Sequence, residues 1–490
     1  MFHVHKGGGR PVSKRRFDEE LEPLQALLLK SHFDLKTSGR RVVIVVAGIE
    51  GSGKGEVVWQ INQWLDPRGI ETHGSFRQDE HTDGHPPFYQ HSLNLPARGR
   101  VGVLFGAWYS ELVLRRLDGK LKRAEFEAQL TGTRRFERML SVDGTIFLKL
   151  WFHISKKTLK KRLKDLSAHP ELHLTLLPVG KQLVVRHEEL SKLASEVMRH
   201  THVPDAPWHL VDATDPRRRS LTVARLLLDS LQRAASPAKP KALRLPARFH
   251  STDEDFLAPA DLNASLEKDD YGDKLSKLQN RLLKAAWKQF EKKRTCLLVF
   301  EGWDAAGKGG AIRRVTQALD PRLYQVTGFA APTDEEKAQH YLWRFWRHLP
   351  PAGLTSIFDR SHYGRVLVER VEGFATPREW QRSYKEINDF ESRLVDGGYV
   401  IRKFWLHISP EEQLRRFKAR ERIPTKRYKI TKEDWRNRTK WNDYESAVND
   451  MVAHTHTENA PWSIVPANHK RFARITVLKT VVDALEKALD

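Results

Sequence analysis

With one cysteine in 490 residues, the chain can form no internal disulfide, and that scarcity fits a reducing compartment. Cys296 stands in the apolar run 296–300, the setting of a small buried strand residue rather than a reactive thiol. No window approaches the roughly 20 apolar residues of a membrane span. The N-terminus is basic but has no apolar stretch of signal-peptide length. A cytoplasmic protein without a membrane partner is the expectation. Acidic residues are in deficit, 62 against 84 lysines and arginines, leaving a net charge of +22. A field of that sign draws polyanions: nucleic acid, anionic membrane and inorganic polyphosphate all qualify. No nucleic-acid-binding motif is present, so nucleic acid is not expected as a partner.

What the chain has in abundance is itself. Lys54 and Lys308 close matching Gly-x-x-x-x-Gly-Lys motifs 254 residues apart. The same offset carries residues 65–68 (Leu-Asp-Pro-Arg) onto 319–322, Trp151 onto Trp405, and the His-Thr-His triplet at 200–202 onto 454–456. One register over so many rare residues is a tandem duplication. The division reads as an N-terminal extension at 1–20, a first domain at 21–234, a Pro- and Ala-rich linker at 235–270 and a second domain at 271–490. Within each copy, apolar runs of strand length alternate with helical spacing. Buried strands are predicted at 354–358 and 400–408, helices at 410–420 and 433–451. The fold class is α/β, each copy a mostly parallel sheet flanked by helices.

In the second copy Gly302, Trp303, Asp304, Ala305, Ala306, Gly307 and Lys308 have P-loop spacing. Its backbone N–H groups, a helix N-terminus and a lysine can surround a phosphate. The Ser or Thr that usually follows the lysine and binds magnesium is absent; Gly309 stands there, and Gly55 in the first copy. A metal would need other oxygen ligands. Asp304 and Asp359, the latter at the end of a predicted strand, are the best placed. Arg360 and Arg365 follow Asp359 and suit fork-like pairing with phosphate oxygens. A cationic run containing Arg420, Arg422, Lys426, Arg427 and Lys429 suits a lid, expected near 418–450, that closes over a polyanion. Because a phosphate nucleophile is already ionised near neutral pH, no general base is required. The aspartates are therefore read as positioning metal and phosphate.

The duplication serves as a control. At the offset of 254, Asp359 and Arg360 become Phe105 and Gly106, and Glu50 replaces Asp304. Arg420, Arg422, Lys426, Arg427 and Lys429 become Leu166, Ala168, Leu172, His173 and Thr175. The first copy keeps Lys54 but not the rest, so it is expected not to transfer phosphate. The paired histidines at 200 and 202, and at 454 and 456, lack a third ligand at suitable spacing and are read as structural turns.

Residues 302–310 (Gly-Trp-Asp-Ala-Ala-Gly-Lys-Gly-Gly), 359–365 (Asp-Arg-Ser-His-Tyr-Gly-Arg) and 440–444 (Lys-Trp-Asn-Asp-Tyr) resemble the polyphosphate kinase 2 family, relatives of thymidylate kinase in fold. His362 and Gly364 depart from the Trp and Asn of many members. The resemblance covers both copies, and the tandem form is similar to members that phosphorylate AMP and use only the second domain for chemistry. It implies two tandem P-loop kinase-like domains and magnesium-dependent transfer of the terminal phosphate of polyphosphate to AMP, giving ADP. ADP or GDP as acceptor, or ATP as donor to a nucleoside monophosphate, are the alternatives. The sequence leaves open whether the chain forms a homo-oligomer.

Overall fold

A computed structural model describes residues 3–5, 11–74, 85–167, 184–236, 249–423, 430 and 432–490. The chain divides into two compact units. One comprises Met1–His81, Gln90–Leu243 and Lys337–His340; the other comprises Thr82–Tyr89, Arg244–Glu336 and Tyr341–Asp490.

The first unit is built on β1 (His3–His5), β2 (Arg41–Gly48), β3 (Ile70–Gly74), β4 (Val101–Phe105), β5 (Thr145–His153) and β6 (Trp208–Asp212), in the order β1-β6-β5-β2-β4-β3. The second has β7 (Thr295–Gly302), β8 (Tyr324–Gly328), β9 (Thr355–Asp359), β10 (Tyr399–His407) and β11 (Trp462–Pro466), in the order β11-β10-β7-β9-β8. Every pairing is parallel. Each strand from β7 to β11 begins and ends 254 residues after its counterpart from β2 to β6, so the repeat read from rare residues is a repeat of architecture. β1 is the addition, pairing with β6 at the sheet edge.

The central strands explain themselves. β2 and β7 are buried along nearly their whole length, the pattern of strands covered by helices on both faces. In the second unit Lys268–Glu291 packs with Lys470–Leu489, and in the first Lys14–Leu35 packs with Pro216–Ala235. The order places β7 where the chain switches direction, β9 on one side and β10 on the other. In open parallel sheets the crevice at the carboxyl ends of such strands is where ligands bind.

Both cores hold the same buried polar cluster. On β10 the Lys403 ammonium donates to Glu391 (2.7 Å), the Tyr363 hydroxyl (2.7 Å) and the Thr455 carbonyl (2.7 Å). On β5 Lys149 meets Glu137 (2.7 Å), Tyr109 (3.3 Å) and the Thr201 carbonyl (2.8 Å). In the second unit His362 bonds Glu391 (3.1 Å), while in the first the Trp108 indole donates to Glu137 (3.2 Å). Two different rings thus satisfy the same carboxylate. A buried ion pair with its hydrogen bonds met tolerates burial; with one partner removed it does not.

The strands expected at 354–358 and 400–408 form as β9 and β10, and the helix expected at 410–420 runs as Pro410–Arg422, capped by Ser409. The single helix expected at 433–451 is two, Lys432–Thr439 and Trp441–Thr455. Lys440 breaks it at φ −104° and ψ 29°. The break falls where Lys440 pairs with Glu372 and Trp441 stacks on Trp303, contacts that outweigh helical propensity. The stretch read as linker is not all spacer: Ser251 and Thr252 bond Asp450, and Phe256 N–H bonds Asn449. Among the described residues, no helix is long and apolar enough to cross a membrane.

Candidate active site

β7 ends at Gly302, whose φ of 146° and position against the next strand both demand glycine: a Cβ there would sit 2.6 Å from the Leu406 carbonyl oxygen. The chain then turns through Ala305 (φ 63°) and Gly307 (φ 112°) into the helix Lys308–Thr316. Arg416 holds the turn from beneath, donating to the carbonyls of Ala305 (2.9 Å), Ala306 (2.8 Å), Ala467 (2.6 Å) and Asn468 (2.8 Å). Lys308 curls back over the loop onto the Gly302 carbonyl (2.6 Å). Gly309 is exposed with open space where a Cβ would lie.

Asp359 ends β9, opposite Phe300 of β7. The next residue, Arg360, sits at φ 64° with its N–H on the Phe300 carbonyl (3.0 Å). A left-handed arginine costs about 1 kcal/mol, a strain that points to function. Its side chain is exposed and reaches to 3.6 Å from Asp304, whose other oxygen accepts from Asn437 (3.0 Å). Among the described residues the Asp359 carboxylate has neither hydrogen bond nor ion pair. Beneath, the buried carboxyl of Glu301 accepts from the Ser361 hydroxyl (2.7 Å). Burial pushes its pKa up, opposed by that bond and by the charges of Lys308 and Arg360.

The structure therefore brings Gly302, Asp304, Gly307, Lys308, Gly309, Asp359 and Arg360 to one crevice. Arg365 is held differently, paired with Glu369 (2.7 Å) and over the Tyr341 ring. Arg420 and Arg422 lie in the last turn of Pro410–Arg422. Lys426, Arg427 and Lys429 lie outside the described residues, as do Ala168, Leu172, His173 and Thr175 in the first copy. Beyond them the chain returns to the loop: Asn437 reaches Asp304 and Trp441 stacks on Trp303 with ring centres 3.7 Å apart. Sequence reasoning missed Glu301, Ser361, Arg416 and Asn437. Only Glu301 carried a signal, a carboxylate in an otherwise apolar strand.

For magnesium, the donor chemistry fits in part. One carboxylate lies in the phosphate loop and one beside it, the latter without a partner among the described residues, as suits a hard cation that shares its ligands with phosphates. Among the described residues no three His, Cys, Asp or Glu side chains form a self-sufficient cluster. The histidine triplets are helix ends rather than turns: His200 and Thr201 close His187–Thr201, His454 and Thr455 close Trp441–Thr455, and His202 and His456, which follow, accept from the N–H of Trp208 and Trp462 at 3.2 and 3.3 Å.

The first copy keeps the loop but neutralises its lysine. Arg162 holds its Gly51, Ala213 and Thr214 carbonyls as Arg416 does in the second. Lys54, however, is paired with Glu50 (2.7 Å). Buried Arg219 donates to the Ser52 carbonyl (3.0 Å), pairs with Glu56, and lies so near Gly53 that a Cβ there would collide with it. Where Glu301, Arg360 and Ser361 stand, this copy has Ala47, Gly106 and Ala107.

A family model described as polyphosphate kinase 2 matches residues 11–239 and again 265–490. The chain is 45% identical over 484 residues to a polyphosphate:AMP phosphotransferase of Pseudomonas syringae pv. tomato, covering 98% of this chain and 97% of the relative. To a protein of the same name from Pseudomonas aeruginosa it is 46% identical over 485 residues, covering 98% of each. A crystal structure described as polyphosphate kinase 2 of Pseudomonas aeruginosa superposes with a TM-score of 0.87 at 45% identity, covering 98% of both chains. With both halves matched and both sheets in one register, the chain belongs to the polyphosphate kinase 2 family.

Proposed function

We propose that the second unit transfers the terminal phosphate of inorganic polyphosphate to AMP, giving ADP and a polyphosphate one unit shorter. An oxygen of the AMP phosphate attacks the terminal phosphorus, and the phosphoanhydride bond to the remaining chain breaks. The observation that carries this reading is the difference between the copies: one P-loop has beside it an exposed arginine and a carboxylate with no partner among the described residues, the other has its lysine neutralised. The names of relatives matching over the full length support AMP as acceptor.

In this reading Lys308 and the loop bind phosphate oxygens, and Arg360 faces the charge that develops during transfer. Asp304 and Asp359 would hold magnesium. When bound, that ion neutralises phosphate charge and orients the reacting oxygens. The net charge of +22 favours a long polyanionic donor.

The test is incubation with AMP, polyphosphate and magnesium, followed by separation of AMP, ADP and ATP. ADP should accumulate as polyphosphate shortens, and chelation should stop it. AMP left unconsumed while added ADP or GDP is phosphorylated would replace this reading by a diphosphate-acceptor one.

A further inference from the structure

Among the described residues, Glu301 is the one buried carboxyl beside the phosphate loop to which the reaction assigns no part. It is 6% exposed and lies one residue beyond Phe300, the strand partner of Asp359. Its bond from Ser361 is 2.7 Å. Ser361 also accepts from the Tyr363 N–H (3.3 Å) and so caps the short helix His362–Arg365. Immediately before it stands Arg360 in the left-handed region, with its N–H tied to Phe300. The turn presenting Asp359 and Arg360 is thus pinned at two points of β7, by the Phe300 carbonyl and by the Glu301 side chain.

The first unit supplies the contrast. The same strands pair in the same register, but the turn differs: Gly106 is at φ 96° and Ala107 at φ 42°, where Ser361 is extended at φ −159°. The backbone pin is kept as well, Gly106 N–H bonding the Val46 carbonyl at 3.0 Å. The side-chain pin is missing, because Ala47 and Ala107 replace Glu301 and Ser361, and it is at Ala107 that the turn departs. The strand pairing therefore does not need this pair. It occurs where an arginine must be held in a conformation that glycine adopts freely.

We infer that Glu301 is a positioning residue for phosphoryl transfer, which through its hydrogen bond from Ser361 holds the turn that aims Asp359 and Arg360 at the reacting phosphates. The inference rests on the proposed reaction and adds a residue to it. A loosened turn misplaces both groups, and displacements of about 1 Å cost on the order of 10²-fold in rate. Binding to the loop, which is built separately by Gly302–Lys308 contacts and Arg416, is left alone.

The experiment measures kcat and KM for AMP and polyphosphate, with thermal unfolding, in Glu301→Ala, Glu301→Gln, Ser361→Ala and the double Ala variant. The expected result is a kcat loss of about 10²-fold in Glu301→Ala, with both KM values near wild type and the melting transition retained. Ser361→Ala should lose as much, and the double variant no more, since both remove one bond. Glu301→Gln keeps an acceptor at the same place and should restore most of the rate. A Gln variant as slow as Ala, additive losses, wild-type turnover in Glu301→Ala, or a loss matching its unfolded fraction would each overturn the inference. A wild-type enzyme that leaves AMP untouched overturns the reaction and this role with it; active wild type with any of those four results overturns the role alone.

Discussion

The two units share strand order, register, loop turn, arginine staple and buried lysine cluster, yet differ in what their lysines face. Lys308 lies on loop carbonyls beside an exposed Arg360, whereas Lys54 has an internal counterion in Glu50. In the first unit Glu56 likewise pairs with Arg219. A P-loop, then, is not a phosphate site by shape alone. Its positive charge has to be left unspent by the protein, and the first unit spends it on its own carboxylates.

The comparison breaks most openly at the carboxylate. Asp359→Asn should lower turnover by about 10²–10³-fold, the scale of removing an aligned electrostatic partner, while Lys54→Met should turn over near the wild-type rate. Steady-state assay of both variants decides it, and equal losses would end the distinction between the units. Arg360→Gly copies Gly106. It should cost about 10²-fold in rate, yet leave stability unchanged or raise it by up to about 1 kcal/mol through relief of the left-handed strain. Urea unfolding alongside the assay reads both; a stability loss would mean the turn needs the arginine for folding.

Trp303→Ile copies Ile49 and removes the stack on Trp441 together with the indole bond to His407 (3.0 Å). A loss of about 2 kcal/mol in the second unit's unfolding is expected, with the first unit unaffected. The smallest effect concerns acid. Burial lowers the His407 pKa to about 4, below its unfolded value, so the neutral ring is favoured in the fold. Its contribution is intact above pH 6.5 and is lost as the pH falls through 4. His407→Gln keeps an acceptor for the indole but does not titrate, so its stability should decline less steeply over that window. Parallel slopes in denaturant titrations at pH 7, 5.5 and 4.5 would remove His407 as a source of acid sensitivity.

Much of this was legible because it is local. The P-loop, the strand ending in Asp359 and the duplicated tryptophans are written in consecutive residues or in one constant offset. What escaped depends on chain crossings that no spacing encodes. Arg416 meets the loop across 110 residues, and Asn437 meets Asp304 across 133. The break at Lys440 escaped for a related reason: helical periodicity continues through it, and only the tertiary contacts of Glu372 and Trp303 interrupt it. That the first copy neutralises its own lysine was half visible, since Glu50 could be seen replacing Asp304. The part of Arg219 in propping that loop could not, because it lies 167 residues beyond Ser52, on the helix Pro216–Ala235.

The arginine under the loop bears on the thermodynamics of binding. A peptide group is planar, so the Ala306–Gly307 unit, with its carbonyl fixed on Arg416, must aim its N–H to the opposite side. The ordering entropy of the cradle is thus lost during folding rather than at each encounter with phosphate. Calorimetry of phosphate binding should accordingly carry little of the unfavourable entropy that marks a loop organising itself around its ligand, and arginines hold the corresponding loop carbonyls in the first unit as well.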